Sequence, residues 1–430
     1  MAVNGYVLHS GSSTEGSQTI VRGVGGSTSH STMSLSTPPA PVPRIPGNYI
    51  ENGREYHAFR KGKYLFPCDE TEMDRMDIYH KLFSVARREA LHSAPLTPNF
   101  DGPRILDLGT GTGIWAIDMC ESQYRNAEVR GVDLTQIQPE QIPPNLTFLQ
   151  RDIEGLWHGM GEDSWDLIHM RMLNGCIESW RDIYAKIFRH LKPNFGWLEH
   201  VEIDMIPRCD DGTLPPNSQL VNWTRAIFEA TELAYRPMAY NTETRAMLES
   251  LGYVDISEEV IQVPLNPWPT NPHLKDIGRW YNLGLTQGLE ALSLAPLMRV
   301  KNWKRSDVDK IVQEVKMEVC SKRIHAYCNI QAKAGGDQPS SKTVLGAHHS
   351  CAWPATSFDD EQGQFIPFKA NDFIQAKLSE PAPEGKADWN PSNKPPIMDP
   401  CLAAGTDDQR MSPEWLRSKR KVVMPLAQHI

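Results

Sequence analysis

Arg104-Ile105-Leu106-Asp107-Leu108-Gly109-Thr110-Gly111-Thr112-Gly113 decides the fold. An apolar run enters a glycine-dense loop, and the helical pattern Ile114–Tyr124 follows. The reading is strand, tight turn, helix, because glycine tolerates the turn and lets a ligand approach main-chain atoms. The alternation continues downstream. Strands are predicted over Glu128–Asp133, Leu146–Gln150, Trp165–Met170 and Gly196–Ile203, with a helix over Trp180–Leu191. Strands alternating with helices imply an α/β fold, a mostly parallel sheet with helices on both faces. In such sheets ligands sit beyond the carboxyl ends of the strands.

Two ligands compete for the loop. A dinucleotide fingerprint reads G-x-G-x-x-G, with a helix N-terminus facing pyrophosphate. Here the third glycine arrives one residue early, and Asp107 stands two residues before Gly109. A carboxylate there repels pyrophosphate and suits a cationic amino-acid group. S-adenosylmethionine carries an ammonium and a sulfonium and no phosphate. Asp133 ends the second strand, where an acid takes ribose hydroxyls. Asp152 follows the third strand, placed for an adenine amino group. The predicted cofactor site is therefore Asp107, Gly109, Thr110, Gly111, Gly113, Asp133, Leu134, Asp152 and Ile153. The bland alternative is a glycine turn whose acids are ordinary caps.

Around this centre, residues 1–47 are rich in Ser, Thr, Gly and Pro and are expected to be a disordered tail. Asp69 reads as an N-cap and Glu72 as its capping-box partner for a helix ending near Arg88. Helices are expected over Ser218–Ala234, Thr242–Leu251, Asp276–Leu292 and Ser306–Arg323, with a sixth strand over Val254–Val263. Helical insertions at about 216–251 and 270–323 are expected to form a lid within a domain spanning 48–334. Residues 335–430 are expected to be mostly disordered.

The formal net charge is −9, which argues against wrapping nucleic acid by bulk charge, and no direct DNA binding is expected. No apolar run is long enough for a membrane span. Eight cysteines lack C-x-x-C spacing, so neither a metal site nor a disulfide framework is expected. The basic run Arg417-Ser418-Lys419-Arg420-Lys421 fits a nuclear address.

The catalytic group is harder to read, since methyl transfer from a sulfonium needs a base only when the acceptor arrives protonated. His169, closing the fourth strand, and His200 and Glu202, on the fifth, are weak candidates, each with a structural alternative. Tyr49, Tyr56 and Tyr64, with Arg54 and Arg60, either cover the cofactor or pack the first helix. Trp115 and Trp157 either line the pocket or fill the core, and Met73, Met76 and Met119 read as core. No Asn/Asp-Pro-Pro-aromatic tetrad follows the fourth strand, which sets aside the usual amino-methylating nucleic-acid site.

Longer stretches carry a resemblance. They include Glu51-Asn52-Gly53-Arg54-Glu55-Tyr56-His57, Phe66-Pro67-Cys68-Asp69-Glu70, Gly161-Glu162-Asp163-Ser164-Trp165-Asp166-Leu167-Ile168-His169, Glu199-His200-Val201-Glu202-Ile203-Asp204, Arg279-Trp280-Tyr281-Asn282-Leu283 and Ile324-His325-Ala326-Tyr327. Over roughly residues 49–327 the chain resembles the fungal LaeA proteins, methyltransferase-like regulators of secondary metabolism. The resemblance implies a Rossmann-like class I methyltransferase with a seven-stranded sheet. It also implies velvet-family partners, residence in the nucleus, and control of toxin and pigment gene clusters and development; a protein or histone acceptor and some residence in the cytoplasm stay open. One departure stands out. The closing strand, Cys328-Asn329-Ile330-Gln331-Ala332-Lys333, is weakly apolar and is expected to be short, shifted or missing. Two other functions stay open: a natural-product methyltransferase, and a cofactor-binding scaffold without turnover.

Overall fold

The computed structural model describes residues 47–96 and 102–337. A hairpin comes first, β1 (Tyr49–Glu51) and β2 (Arg54–Tyr56), turning at Asn52-Gly53 with positive φ at both residues. That dipeptide suits a two-residue hairpin. Then come α1 (Glu70–Ala86), β3 (Arg104–Leu108), α2 (Ile114–Glu121), β4 (Glu128–Asp133), β5 (Leu146–Gln150), β6 (Leu167–Arg171), α3 (Trp180–His190) and β7 (Trp197–Ile203). The remainder is α4 (Gln219–Leu233), α5 (Thr244–Ser250), β8 (Val254–Pro264), α6 (Pro272–Ser293), α7 (Arg305–Cys320) and β9 (Tyr327–Gly336). A π-helical turn at Leu294–Val300 links α6 to α7.

Seven strands form one sheet in the order β5-β4-β3-β6-β7-β9-β8. The pairs from β5 to β7 are parallel, and β9 runs antiparallel to both its neighbours. The weak closing strand is thus an interior one of ten residues, paired with β7 and β8. Its low apolarity misled because beside Ile330 only the small Ala332 and Ala334 are needed between two neighbours, and Lys333 escapes by pairing with Glu258 at 2.5 Å. The strand also carries the domain past 334, to Gly336.

Odd-numbered residues of β3, β6 and β7 face α1 and α2, and even-numbered ones face α3 and α5, as strand alternation requires. Val201 and Ile203 join a core with α1, α4, α6 and α7. Leu106, Ile168 and Leu198 join the opposite core with α3 and Leu248 of α5. The inserted helices α4, α6 and α7 therefore form a packed layer with α1 rather than the expected lid.

Asp69 caps α1, accepting the Glu72 N–H at 3.1 Å. The reciprocal capping-box bond is replaced: the Glu72 carboxylate forks onto Arg75 at 2.5 and 2.9 Å. Among the described residues no helix is long and apolar enough to cross a membrane. The predicted tails, apart from Gly47 and 335–337, and the basic run at 417–421 lie outside the described residues.

Candidate active site

The carboxyl ends of β3, β4, β5 and β6 open onto a cavity, and the segment 63–83 closes it from the other side. Asp107, Gly109, Thr110, Gly111, Asp133, Leu134, Asp152 and Ile153 all line it. Gly113 does not. It serves as the N-cap of α2 at φ 80°, where a side chain would strike the Phe148 ring at 2.3 Å.

The loop amides decide between the two ligands. Gly109 and Thr110 donate to the Val132 carbonyl at 2.8 and 3.0 Å, and Gly113 donates to Thr110 at 2.9 Å. Gly111 donates to the Asp133 carboxylate at 2.8 Å. Amides spent this way cannot cradle a pyrophosphate, which needs free N–H groups. Asp107 and Asp133, beside the loop itself, add a local potential hostile to phosphate.

The same residues fit S-adenosylmethionine. Asp133 accepts from Gly111 N–H and from the amide and hydroxyl of Thr135, both at 2.8 Å. A carboxylate has about four acceptor sites, so one remains for a ribose hydroxyl. Burial holds its pKa above the usual carboxylate range, against the pull of those donors. Gly111 lies in the wall at φ 57°, and a Cβ there would press on the Met76 thioether at 3.1 Å. Leu134, Ile137, Ile153, Leu173 and Ile177 supply apolar surface.

A family profile described as a methyltransferase domain matches residues 78–256. The secondary metabolism regulator LAE1 of Cochliobolus heterostrophus is 60% identical over 294 residues, covering 67% of this chain and 95% of that protein. The chain belongs to the LaeA family. The secondary metabolism regulator laeA of Aspergillus fumigatus is 47% identical over 282 residues, covering 65% of this chain and 74% of that one. The protein-methionine methyltransferase laeA of Emericella nidulans is 46% identical over 280 residues, with 64% and 73% covered. This LaeA-family chain is a class I methyltransferase whose cofactor is S-adenosylmethionine.

His169 lines the cavity of this LaeA-family domain but is bound in place. Its Nδ1 meets Asp107 Oδ1 at 2.8 Å, and its ring stacks on Trp115. Burial lowers its pKa despite the aspartate. The other two candidates, His200 and Glu202, stand outside the cavity. His200 lies between the Tyr184 hydroxyl at 2.9 Å and Glu202 at 3.0 Å. Glu202 also accepts the amides of Leu173 and Asn174 at 2.6 and 3.3 Å. It thereby fixes the loop that brings Leu173 and Cys176 to the cavity wall.

Sequence reasoning missed several wall residues. Asp152 was expected to be open to adenine, yet Lys63 grips it at 2.5 and 2.6 Å and Arg60 approaches to 3.7 Å. Lys63 also reaches Glu154 at 3.0 Å, which Arg236 holds at 2.8 Å. Met76, taken for core, and Met172 both line the cavity. Met172 does so with φ at 57°, an uncommon backbone for that residue. Tyr64 and Trp115 line it as well, whereas Tyr49 and Tyr56 stack on each other at 5.7 Å and Trp157 packs in the core. Cys68 and Cys176 reach the wall as thiols, since burial pushes Cys68 up to about 12 and Cys176 up as well.

Proposed function

We propose that this protein methylates a methionine thioether of a protein substrate, as a nuclear regulator of secondary-metabolite gene clusters and development within a velvet-type complex. One comparison carries the acceptor: the Emericella nidulans relative, 46% identical over 280 residues, is named a protein-methionine methyltransferase. His169 is held through Nδ1 by Asp107 and by its stack on Trp115, with its Nε2 unpartnered among the described residues, and a thioether acceptor asks nothing of it as a base. His200 and Glu202 satisfy each other one layer back. An amine or hydroxyl acceptor arrives carrying a proton that something must remove. A thioether has a lone pair and no proton to lose.

When bound, S-adenosylmethionine supplies a sulfonium methyl group. The chain would hold its ribose at Asp133, its adenosine against Leu134 and Ile153, and its amino-acid group at Asp107. Positioning then provides the acceleration, since alignment alone can lower a displacement barrier by several kcal/mol, about 7–11 in the best intramolecular cases. The regulatory setting rests on kinship with the fungal regulators, and the nuclear address and velvet partners come from the resemblance.

The test is methyl-tritiated S-adenosylmethionine with purified protein, presented with nuclear protein extract and separately with small-molecule extract. Label on a methionine of a nuclear protein is the expected result. Label confined to the small-molecule fraction would replace this reading with natural-product methylation. Binding without label in either fraction would leave a scaffold.

A further inference from the structure

The cavity spans the carboxyl ends of four strands in the order β5, β4, β3, β6. At about 4.8 Å per strand that is roughly 14 Å. Asp152 and Asp133 mark the first part of this path, Asp107 the next, and Arg171, the last residue of β6, the far end.

Arg171 has an unusual environment. Its Nη2 meets His80 Nδ1 at 3.1 Å, and its guanidinium lies 4.7 Å above the Phe83 ring. The other nitrogen of His80 meets Asp118 at 2.9 Å. Among the described residues no carboxylate oxygen lies within ion-pair distance of Arg171. The remaining cations of the wall are engaged. Lys63 holds Asp152 and Glu154, Arg75 forks onto Glu72, and Arg151 donates to the His158 carbonyl. Desolvation lowers the Arg171 pKa to about 10, so the charge is retained at neutral pH.

Asp107, Asp118 and Glu199 act on it only from beyond ion-pair distance, and a half-buried guanidinium with no anion in contact is costly unless a ligand provides one. Its planar fork matches a carboxylate with two parallel hydrogen bonds. Register brings the opposite charge close: Asp107 pairs with His169, two residues before Arg171 on the same face of β6. A negative and a positive group side by side complement a zwitterion.

We infer that Arg171 recognises the carboxylate of the cofactor's amino-acid group, while Asp107 faces its ammonium. This rests on the S-adenosylmethionine reading of the cavity. Arg171 is then a binding residue that selects an intact amino-acid end and sets the position of the methyl group.

The test is calorimetry with S-adenosylmethionine and with decarboxylated S-adenosylmethionine, which keeps both positive charges and lacks only the carboxylate. Wild-type protein is expected to prefer the carboxylated ligand by about 10- to 100-fold, the range of a charge-assisted hydrogen bond. Arg171→Met keeps the contact with Phe83, and it should bring that ratio to about one by weakening the carboxylated ligand alone. Arg171→Lys restores charge without the fork and should give an intermediate ratio; it serves equally if the methionine variant fails to fold. Equal wild-type affinities would overturn the inference and leave the cofactor assignment standing. So would an Arg171→Met variant that keeps the wild-type preference or weakens both ligands equally. Wild-type protein that binds neither ligand would overturn the cofactor assignment, and this inference with it.

Discussion

The imidazole of His169 lies flat on the indole of Trp115, ring centroids 3.7 Å apart and 6° from parallel. With Nδ1 held by Asp107, the ring is clamped by a stack and a hydrogen bond and its Nε2 is left unpartnered among the described residues, yet a thioether acceptor carries no proton for it to take. His169→Asn keeps a donor near Nδ1 and loses the ring. Methyl transfer by this variant should stay within about tenfold of wild type, whereas loss of a general base costs about 10²–10⁴-fold. Single-turnover rates with labelled donor distinguish the two.

Two glycines of one loop should respond differently. Gly113→Ala places a methyl 2.3 Å from Phe148 at φ 80° and should cost about 2–5 kcal/mol of stability. Gly111→Ala meets only the flexible Met76 thioether, so it should lower the melting temperature less. It should weaken S-adenosylhomocysteine binding more than its stability loss explains. Calorimetric melting beside ligand titration checks the pair.

Lys63 ties the 57–66 segment to Asp152 and Glu154. Lys63→Met leaves those carboxylates without that cation, and the segment should open more often. Hydrogen exchange at residues 57–66 is expected to quicken by about 10- to 100-fold, as the loss of charged hydrogen bonds implies. Unchanged exchange would show that the segment is held by packing alone.

The buried pair Arg87–Glu199, 2.7 Å apart, also anchors the amides of Ser93 and Ala94 at 2.7 and 2.9 Å. Glu199→Leu strands a buried guanidinium and should cost about 3–5 kcal/mol. Adding Arg87→Leu should recover much of that loss. Urea midpoints of the single and double variants test it. A double variant as unstable as the single one would point to the two amides instead.

Burial lowers the pKa of His57, His92 and His169. Below about pH 6.5 the unfolded chain takes up protons at these positions that the folded chain refuses. More protons on the unfolded state means that stability rises with pH through this window and falls on acidification. Each histidine contributes at most about 1.4 kcal/mol per pH unit. His169→Asn should remove one share of the slope between pH 6.5 and 5.5, measured from urea midpoints.

The parallel half of the sheet was plain in the sequence. Arg104–Leu108, Glu128–Asp133 and Leu146–Gln150 are strands with the predicted bounds, because short apolar runs between turn signals have few other readings. That Asp107, Asp133 and Asp152 would line one cavity was legible for the same reason, since their place at strand ends follows from the alternation. What sequence reasoning missed lies in long-range pairing. No local pattern ties Lys63 to Asp152, 89 residues on, or His80 to Arg171, 91 residues on. A signal was present in α1, whose buried residues include Glu72, Asp74, Arg75, Asp77 and His80 beside the apolar ones. Polar groups on a buried face need partners or a ligand, and this stripe reaches the cavity at Arg75 and His80. Periodicity alone gives an ordinary amphipathic helix there, because it cannot say which face is covered.

The position of β9 ties synthesis to architecture. Every residue of the cavity wall precedes Glu178, yet the sheet below it stays split until the ribosome has made Gly336. Until then β7 and β8 each present an open edge where another chain can pair. A message cut short after the last wall residue would encode all the binding chemistry and still yield an unfinished, adhesive sheet.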